Sequence, residues 1–262
     1  MRKRTRLPEM HDSKRCPAVW RDLLTDFMSY FAHAHNPYGV AAGRVWDAMR
    51  HADTHSIVDL CSGAGEPAVL MQENLAKAGF PIRVTLTDKY PNQVAFHKWK
   101  AMKPEAVDYV ETPVDATSVP SSLKGFRTLF TAFHHFDPPI ARRILADAVE
   151  KRQGIGIFEY TEMKLWMWAP GILFAPLYIW TVSLWMRPFR WSRLLWTYLI
   201  PVVPLIVLWD GFVSCLRTYS PQQLEELTRD LDVPDYAWEA GRMRSFGFCR
   251  ITYLIGRPDR AA

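Results

Sequence analysis

The spacing of hydrophobic residues changes twice along the chain. From Val19 to Phe31 they recur every four positions, which is typical of an amphipathic helix, and we predict that helix for residues 17–34. A second short helix is predicted for about residues 38–50. From residue 56 short β-rich runs alternate with helical stretches, and this alternation predicts a parallel sheet with helices on both faces.

The predicted elements fall into three parts. Five strands are predicted in the stretches SIVDL, PIRVTLTD, DYVETPVDA, FRTLFTAF and GIGIFEY. The pattern stops at a segment rich in tryptophan and proline and then resumes with a helix that Ser220 caps, followed by an antiparallel hairpin. We therefore expect N-terminal cap helices in residues 1–55, a core in 56–162 and 214–262, and an insertion in 163–213.

Composition narrows the class of protein. The chain of 262 residues is 49% hydrophobic and 23% charged, with a mean hydropathy of −0.12, and these values exclude a polytopic membrane protein. The net charge is +5, and basic residues crowd the N-terminus: Arg2, Lys3, Arg4, Arg6, Lys14 and Arg15. On its own this run favours a solvated, disordered tail, and the alternative is attraction to an anionic membrane surface. Nucleic acid is not an expected partner, because the chain has no RNA- or DNA-binding motif.

The N-terminal residues and the cysteines both favour the cytoplasm. The polar stretch LPEMHDSKR stands where a secretory signal would have its apolar region, so we do not expect export by that route. The four cysteines show no C-x-x-C spacing, which fits reduced thiols and gives no zinc framework.

The first predicted strand leads into the loop VDLCSGAGEPA. Gly63 and Gly65 allow a tight turn close to a ligand, and together with Ala68 they also fit the pattern of dinucleotide-binding domains. A pyrophosphate would be repelled by Asp59, whereas the ammonium and sulfonium groups of S-adenosylmethionine would be attracted. Asp88 ends the second strand, where its carboxylate suits a ribose, and the third strand is expected to end at Asp115, beside an adenine.

These motifs resemble the class I S-adenosylmethionine-dependent methyltransferases. The matching stretches VDLCSGAGEP, LTDKYPN, VDATSVP, TAFHHFDP and GIGIFEYTE occur in the family's order, over roughly 56–162 and 216–257. The resemblance implies an α/β, Rossmann-like, seven-stranded, mostly parallel sheet of order 3-2-1-4-5-7-6 with strand 7 antiparallel. The N-terminal helices and the apolar helical insertion after strand 5 lie outside it. Cys61 departs from the family, which usually has glycine there.

The resemblance also implies which residues bind the cofactor and assist the reaction. The residues expected to bind S-adenosylmethionine are Asp59, Ser62, Gly63, Gly65, Asp88, Lys89, Asp115, Ala116 and Thr131. His134, followed two positions later by an aromatic residue, is the candidate general base for a hydroxyl acceptor; packing of the loop is the alternative role. No metal site is expected. Glu159 and Asp210 are placed near the acceptor pocket without a catalytic role.

The insertion contains two apolar runs, residues 165–186 and 194–209, joined by RPFRWSR. A hairpin that crossed a bilayer would carry the three arginines to the far side, against the positive-inside tendency, and the second run is short for a span. We expect instead a monotopic arrangement in which the arginines face anionic lipid. A substrate lid or a homodimer interface stays open. Four prolines are expected to break the helices: Pro170, Pro176, Pro201 and Pro204.

Together these features predict a methyltransferase that acts on a lipophilic acceptor, such as a lipid, quinone or terpenoid, at the cytoplasmic side of a membrane. One alternative is a soluble, cytoplasmic small-molecule O-methyltransferase whose insertion forms a lid or dimer interface. The others are a non-catalytic membrane-bound interaction module and an NAD(P)-dependent oxidoreductase, against which Asp59 and the terminal hairpin argue.

Overall fold

A computed structural model describes residues 7–11, 13, 15–161, 168–187, 189–231, 233–247 and 249–259. The basic residues Arg2, Lys3, Arg4, Arg6 and Lys14 and the start of the predicted insertion, 163–167, lie outside the described residues. The chain divides into two units. Unit 1 comprises Asn36–Tyr160 and Tyr219–Ala262, and unit 2 comprises Arg2–His35 and Thr161–Thr218.

Strands and helices alternate as the hydrophobic pattern predicts. The strands are β1 (Ser56–Asp59), β2 (Arg83–Leu86), β3 (Val107–Tyr109), β4 (Phe126–Phe130), β5 (Ile155–Glu159), β6 (Tyr236–Arg244) and β7 (Arg250–Pro258). The helices are α1 (Ala18–His35), α2 (Ala42–His51), α3 (Glu66–Lys77), α4 (Gln93–Met102), α5 (Pro138–Glu150), α6 (Trp168–Ser183), α7 (Trp191–Leu194), α8 (Val202–Arg217) and α9 (Pro221–Thr228).

Unit 1 is built on one seven-stranded sheet of order β3-β2-β1-β4-β5-β7-β6. Strands β1 to β5 pair in parallel, and β7 runs antiparallel to both β5 and β6. The predicted fold class and strand order are therefore confirmed. Helices α2, α3 and α4 pack on one face of the sheet around residues such as Met49 and Phe96, and α5 and α9 pack on the other around Ile144 and Leu224.

Helix ends follow local chemistry. Ser220 accepts a hydrogen bond from the backbone N–H of Gln223, whose side chain accepts one from the N–H of Ser220, so α9 begins with a complete capping box. Gly65 adopts a left-handed conformation (φ 81°) directly before α3, and a Cβ there would lie 2.7 Å from a methyl carbon of Leu86. A residue with a side chain would therefore be both strained and crowded at this turn.

The third strand is shorter than the sequence pattern predicts. β3 ends at Tyr109, so the prediction that it runs to Asp115 is wrong. Pro113 has no N–H to give to a sheet ladder, which favours an irregular segment after the strand. The backbone N–H of Val114 nevertheless donates to the carbonyl oxygen of Asp88, 2.9 Å away, so this segment still runs beside the end of β2.

In unit 2, α6 packs against α1. Ile179, Val182 and Met186 are buried against Phe27. Pro176 lies inside α6 without ending it, so the expected break at this proline is wrong. Pro201 directly precedes α8 and Pro204 lies in its first turn, where a missing N–H costs no hydrogen bond. The residues before Trp168 lie outside the described part of the chain, so the expectation for Pro170 stays a prediction.

The arginines of the α6–α7 connection do not all face solvent. Arg193 is buried, and it donates to the carboxylate of Asp26 at 2.7 Å and to the carbonyl oxygen of Met186 at 2.9 Å. The Nε of Arg190 lies 2.8 Å from the same carboxylate. For Arg193 the expectation of a lipid-facing side chain is therefore wrong, because a buried guanidinium needs a nearby carboxylate.

Within the part of the chain that the structure describes, no single helix is long and apolar enough to cross a membrane. The segments Trp191–Leu199 and Val202–Arg217 pass that test only together, and they are bent by 76° relative to each other.

A buried ion pair in unit 1 gives a test of stability. Arg127 is 1% exposed, and its guanidinium lies 2.7 Å from the carboxylate of Asp147. We expect Asp147→Ala to lower the free energy of unfolding by about 3–5 kcal/mol, because it leaves a buried cation uncompensated. Asp230→Ala, which removes an exposed partner of Arg142, should cost no more than about 1 kcal/mol. Urea unfolding measures both, and similar losses would contradict the burial argument.

Candidate active site

The loop after β1 follows a left-handed path. Cys61, Gly63 and Gly65 all have positive φ, at 58°, 55° and 81°. A Cβ built on Gly63 meets no atom within 4 Å, so the space beside this residue is open. The positive φ of Cys61 strains its backbone, and glycine at this position would avoid that strain. This is a physical reason why the family that the sequence resembles usually has glycine there.

Asp59 lies at the end of β1 with a buried carboxyl group. Its Oδ1 accepts a hydrogen bond of 2.6 Å from the hydroxyl of Thr128 on the neighbouring strand. Burial raises the pKa of Asp59 to about 7, although the hydrogen bond from Thr128 opposes the rise. The carboxyl group is thus close to an even balance of neutral and ionised forms at neutral pH, and a nearby cation would favour the ionised form.

Asp88 is joined directly to the glycine loop. Its Oδ2 accepts from the backbone N–H of Gly63 at 2.9 Å, and its Oδ1 accepts from the N–H of Tyr90 at 2.8 Å. The hydroxyl of Ser62 donates to the carbonyl oxygen of Asp59 at 3.0 Å. Ser62 therefore shapes the loop with its side chain, while Asp88 fixes the loop to the end of β2.

The Nζ of Lys89 donates a hydrogen bond of 2.8 Å to Oδ2 of Asp115, and the two side chains form an ion pair at the same edge of the sheet. This hydrogen bond, together with those from the hydroxyl and N–H of Thr117, lowers the pKa of Asp115 to about 2. Ala116, next in the chain, is buried. Although β3 ends early, the structure thus places Asp115 beside the residues that follow β2.

The three carboxyl groups also surround Cys61. Burial raises the pKa of this thiol, and the charges of Asp88, Asp59 and Asp115 raise it further. The thiol is therefore protonated at neutral pH and is a poor nucleophile. Three carboxyl groups whose charges reach this loop disfavour anions such as pyrophosphate and favour cations.

Thr131 follows β4 in a left-handed conformation (φ 46°), and its hydroxyl shares a hydrogen bond with that of Tyr38. Tyr38 is buried, and burial raises the pKa of its hydroxyl, with further contributions from Tyr160, Glu159 and Asp59. Tyr38 thus lies near the carboxyl groups that end β1 and β5. The sequence analysis missed it because a single tyrosine between two helices belongs to no motif.

His134 and Glu159 form a buried pair at the ends of β4 and β5. Nδ1 of His134 lies 2.8 Å from Oε2 of Glu159, and the backbone N–H of His134 donates to Oε1 at 3.1 Å. A neutral imidazole that donates from Nδ1 carries its lone pair on Nε2. The ring centroids of His134 and His135 are 4.3 Å apart. The ring that forms the hydrogen bond to Glu159 described above is that of His134.

Asp210 belongs to unit 2 and has a structural role there. Its carboxylate accepts from the backbone N–H groups of Met10 and His11, at 2.6 and 3.2 Å, and contacts the ring of His11 at 2.8 Å. It therefore ties the N-terminal segment to α8.

No protein-family model matches the chain, and no curated protein matches it in sequence. Solved structures do match. An O-methyltransferase family protein from Burkholderia thailandensis superimposes with a TM-score of 0.51 and 15% identity, over 97% of this chain and 62% of that one. For the pyocyanin biosynthetic protein PhzM the TM-score is 0.54 and the identity 17%, over 95% of this chain and 62% of that one.

An O-methyltransferase from neocarzinostatin biosynthesis, solved with S-adenosylmethionine and 2-hydroxy-5-methyl naphthoic acid, has a TM-score of 0.51 and 14% identity. The match covers 92% of this chain and 62% of that one. The chain thus spans about three fifths of the length of these proteins. Together with the sheet order, the likeness shows that this chain has the Rossmann-like fold of S-adenosylmethionine-dependent O-methyltransferases.

Proposed function

We propose that this protein is an S-adenosylmethionine-dependent methyltransferase that methylates a hydroxyl group of a small-molecule acceptor. The observation that carries the proposal is the buried pair of His134 and Glu159, which ends two strands of the same sheet edge as the glycine loop. Ligands bind at the carboxyl ends of strands in open α/β sheets. A cation-attracting loop and a carboxylate-held histidine at one such edge suit methyl transfer to oxygen.

The residues around the loop fit a cationic cofactor. Asp59 would face its positive charge, Gly63 leaves open space for it, and Asp88 is placed to accept from ribose hydroxyls. When bound, S-adenosylmethionine supplies the electrophilic methyl group. We propose that the other residues expected to contact the cofactor do so at the same edge of the sheet. These residues are Ser62, Gly65, Lys89, Asp115, Ala116 and Thr131.

We assign His134 as the general base and Glu159 as its positioning residue. Glu159 accepts a hydrogen bond from Nδ1–H and so orients Nε2 to take the proton of the acceptor hydroxyl. The backbone N–H of His134 binds the second oxygen of the same carboxylate, so the ring is held at two points. As the hydroxyl loses its proton, the ring becomes cationic beside a carboxylate, which stabilises that charge.

Two acceptor classes fit this chemistry. An aromatic small molecule with a hydroxyl group is favoured by the likeness to the O-methyltransferase solved with a naphthoic acid. A lipophilic acceptor is favoured by the position of α6, an apolar helix that follows Glu159 in the chain after only a short connection. Transfer of a labelled methyl group into phenolic compounds and into a total lipid extract, compared side by side, distinguishes the two.

The cofactor assignment predicts a loss of affinity in Asp88→Ala. The change removes the acceptor for ribose hydroxyls and for the N–H of Gly63, so the Kd for S-adenosylmethionine should rise by roughly tenfold or more. Asp108→Ala, which removes an exposed carboxylate from β3, should leave the Kd unchanged. Calorimetry with S-adenosylmethionine and with NADH measures this. Preferential binding of NADH would contradict the proposal and favour an oxidoreductase.

The base assignment predicts that His134→Ala lowers kcat by roughly 10²–10⁴-fold while the Kd for the cofactor changes little. Glu159→Gln keeps the size of the side chain but weakens its hold on the ring, so kcat should fall less and its pH profile should shift. His135→Ala is the matched control and should retain nearly full turnover. Unchanged turnover in His134→Ala would mean that this ring only packs.

The raised pKa of Asp59 predicts two pH effects. Between about pH 4 and about pH 7 the folded protein keeps a proton that the unfolded chain has released, so the contribution of Asp59 to stability falls as pH rises through that window. A cationic cofactor needs the ionised form, so its affinity should be roughly tenfold lower at about pH 6 than at about pH 8. Asp59→Asn should remove both effects in unfolding and calorimetry. A variant with the wild-type pH dependence would contradict this assignment.

A further inference from the structure

Helix α6 is apolar on two opposite sides. One side, with Ile179, Val182 and Met186, is buried against Phe27 of α1. The other side carries Phe174, Leu177 and Leu184, which are all exposed. Phe174 and Leu177 are three positions apart and so are neighbours on one side of α6, while Leu184 and Met186 lie just beyond the end of the helix. In a soluble monomer the second side would normally be polar.

Large aromatic side chains continue this exposure beyond the end of α6. Trp185 is 73% exposed and Trp191 is 77% exposed, and Leu199 is exposed at the end of the turn that follows α7. We call the six residues Phe174, Leu177, Leu184, Trp185, Trp191 and Leu199 the apolar surface of unit 2. Large apolar side chains that are exposed in such number within one unit favour a site that binds a partner or a membrane.

Hydrogen bonds inside unit 2 hold the connection between α6 and α7 near the two tryptophans. Asp26 of α1 binds both Arg190 and Arg193, and Arg193 also donates to the carbonyl oxygen of Met186, the residue after Trp185. The charges of these arginines are thus used inside unit 2, where they fix the connection between α6 and α7. Trp185 and Trp191 are thus neighbours in the chain of groups that these hydrogen bonds hold in place.

Charge decides between a membrane and a second copy of the chain as the partner. Unit 2 contains twelve Lys and Arg against six Asp and Glu, whereas the rest of the chain contains twenty against twenty-one. The excess positive charge of the sequence thus falls in segments 2–35 and 161–218; six of the twelve basic residues counted there lie outside the described part of the chain. A symmetric dimer through this surface would bring two positive units together, while an anionic bilayer would attract each of them.

We propose that the apolar surface of unit 2 docks this protein on an anionic lipid bilayer, with Trp185 and Trp191 in the headgroup region. Tryptophan suits that depth because its ring is apolar and its N–H is polar. The docking is monotopic, since the surface consists of short, bent helical pieces. This inference is independent of the reaction, because it rests on unit 2 alone.

The test uses the full chain and sedimentation with vesicles of phosphatidylcholine, with and without phosphatidylglycerol. We expect binding to the anionic vesicles, weakened by salt. The double variant Trp185→Ser/Trp191→Ser should bind roughly tenfold or more weakly, because it removes two large apolar side chains. The matched control Val94→Ser/Met102→Ser changes two exposed apolar residues of α4 in unit 1 and should bind like the wild type.

Calorimetry with S-adenosylmethionine and the thermal melting temperature accompany each variant. Both should match the wild type, which separates a docking defect from misfolding and from a failure of the cofactor assignment. Absence of binding to anionic vesicles, equal binding to neutral ones, or full binding by the tryptophan variant would overturn the proposal. A dimer in sedimentation velocity that this variant converts to a monomer, without vesicle binding by the wild type, would show instead that a second copy covers the surface.

Discussion

The hydrogen bond from Thr128 to Asp59 is the interaction on which the organisation of the site depends. It joins the carboxyl group that ends β1 to the adjacent strand β4, at the position where the register pairs these two residues. A buried carboxyl group without such a donor would be costly. Because Thr128 supplies one neutral partner and no cation, the group stays only partly ionised near neutral pH. It is therefore prepared to ionise when a positive ligand arrives, and a fixed ion pair would not allow this.

Strand β4 links the proposed cofactor side of the site to the proposed acceptor side. Its residue Thr128 binds Asp59, and the turn that follows the strand carries His134 to Glu159 on β5. The carboxyl groups of Asp59 on β1 and Glu159 on β5 lie on the two strands that flank β4. The partner of Asp59 is a hydroxyl group, and the partner of Glu159 is an imidazole. Tyr38 lies near both, as the rise in its pKa indicates. In the proposed mechanism Asp59 binds a positive charge, and Glu159 supports the transfer of a proton through His134. Pairs of titratable groups in distinct environments commonly divide two roles in this way.

The sequence predicts the frame of this site well but its hydrogen bonds poorly. Strand positions follow from runs of buried residues, and the resemblance supplies the strand order, which the structure confirms. The stretch DYVETPVDA predicts a strand up to Asp115, whereas β3 ends at Tyr109. Tyr38 and the Glu159 partner of His134 depend on contacts between residues far apart in the chain, and no local spacing records those contacts.

Unit 2 shows why an apolar run does not reveal its partner by composition alone. The run that forms α6 has almost no polar residues, so hydropathy cannot distinguish the side packed on Phe27 from the exposed side with Leu177 and Leu184. The same limit applies to charge. The sequence suggests that Arg193 is a surface cation, yet it is buried and paired with Asp26. In the proposed docking, the net positive charge of segments 2–35 and 161–218 attracts an anionic surface, and the side of α6 that is left unpacked enters it. A helix that is apolar on both sides meets two requirements at once, because one side holds the unit together and the other contacts its partner.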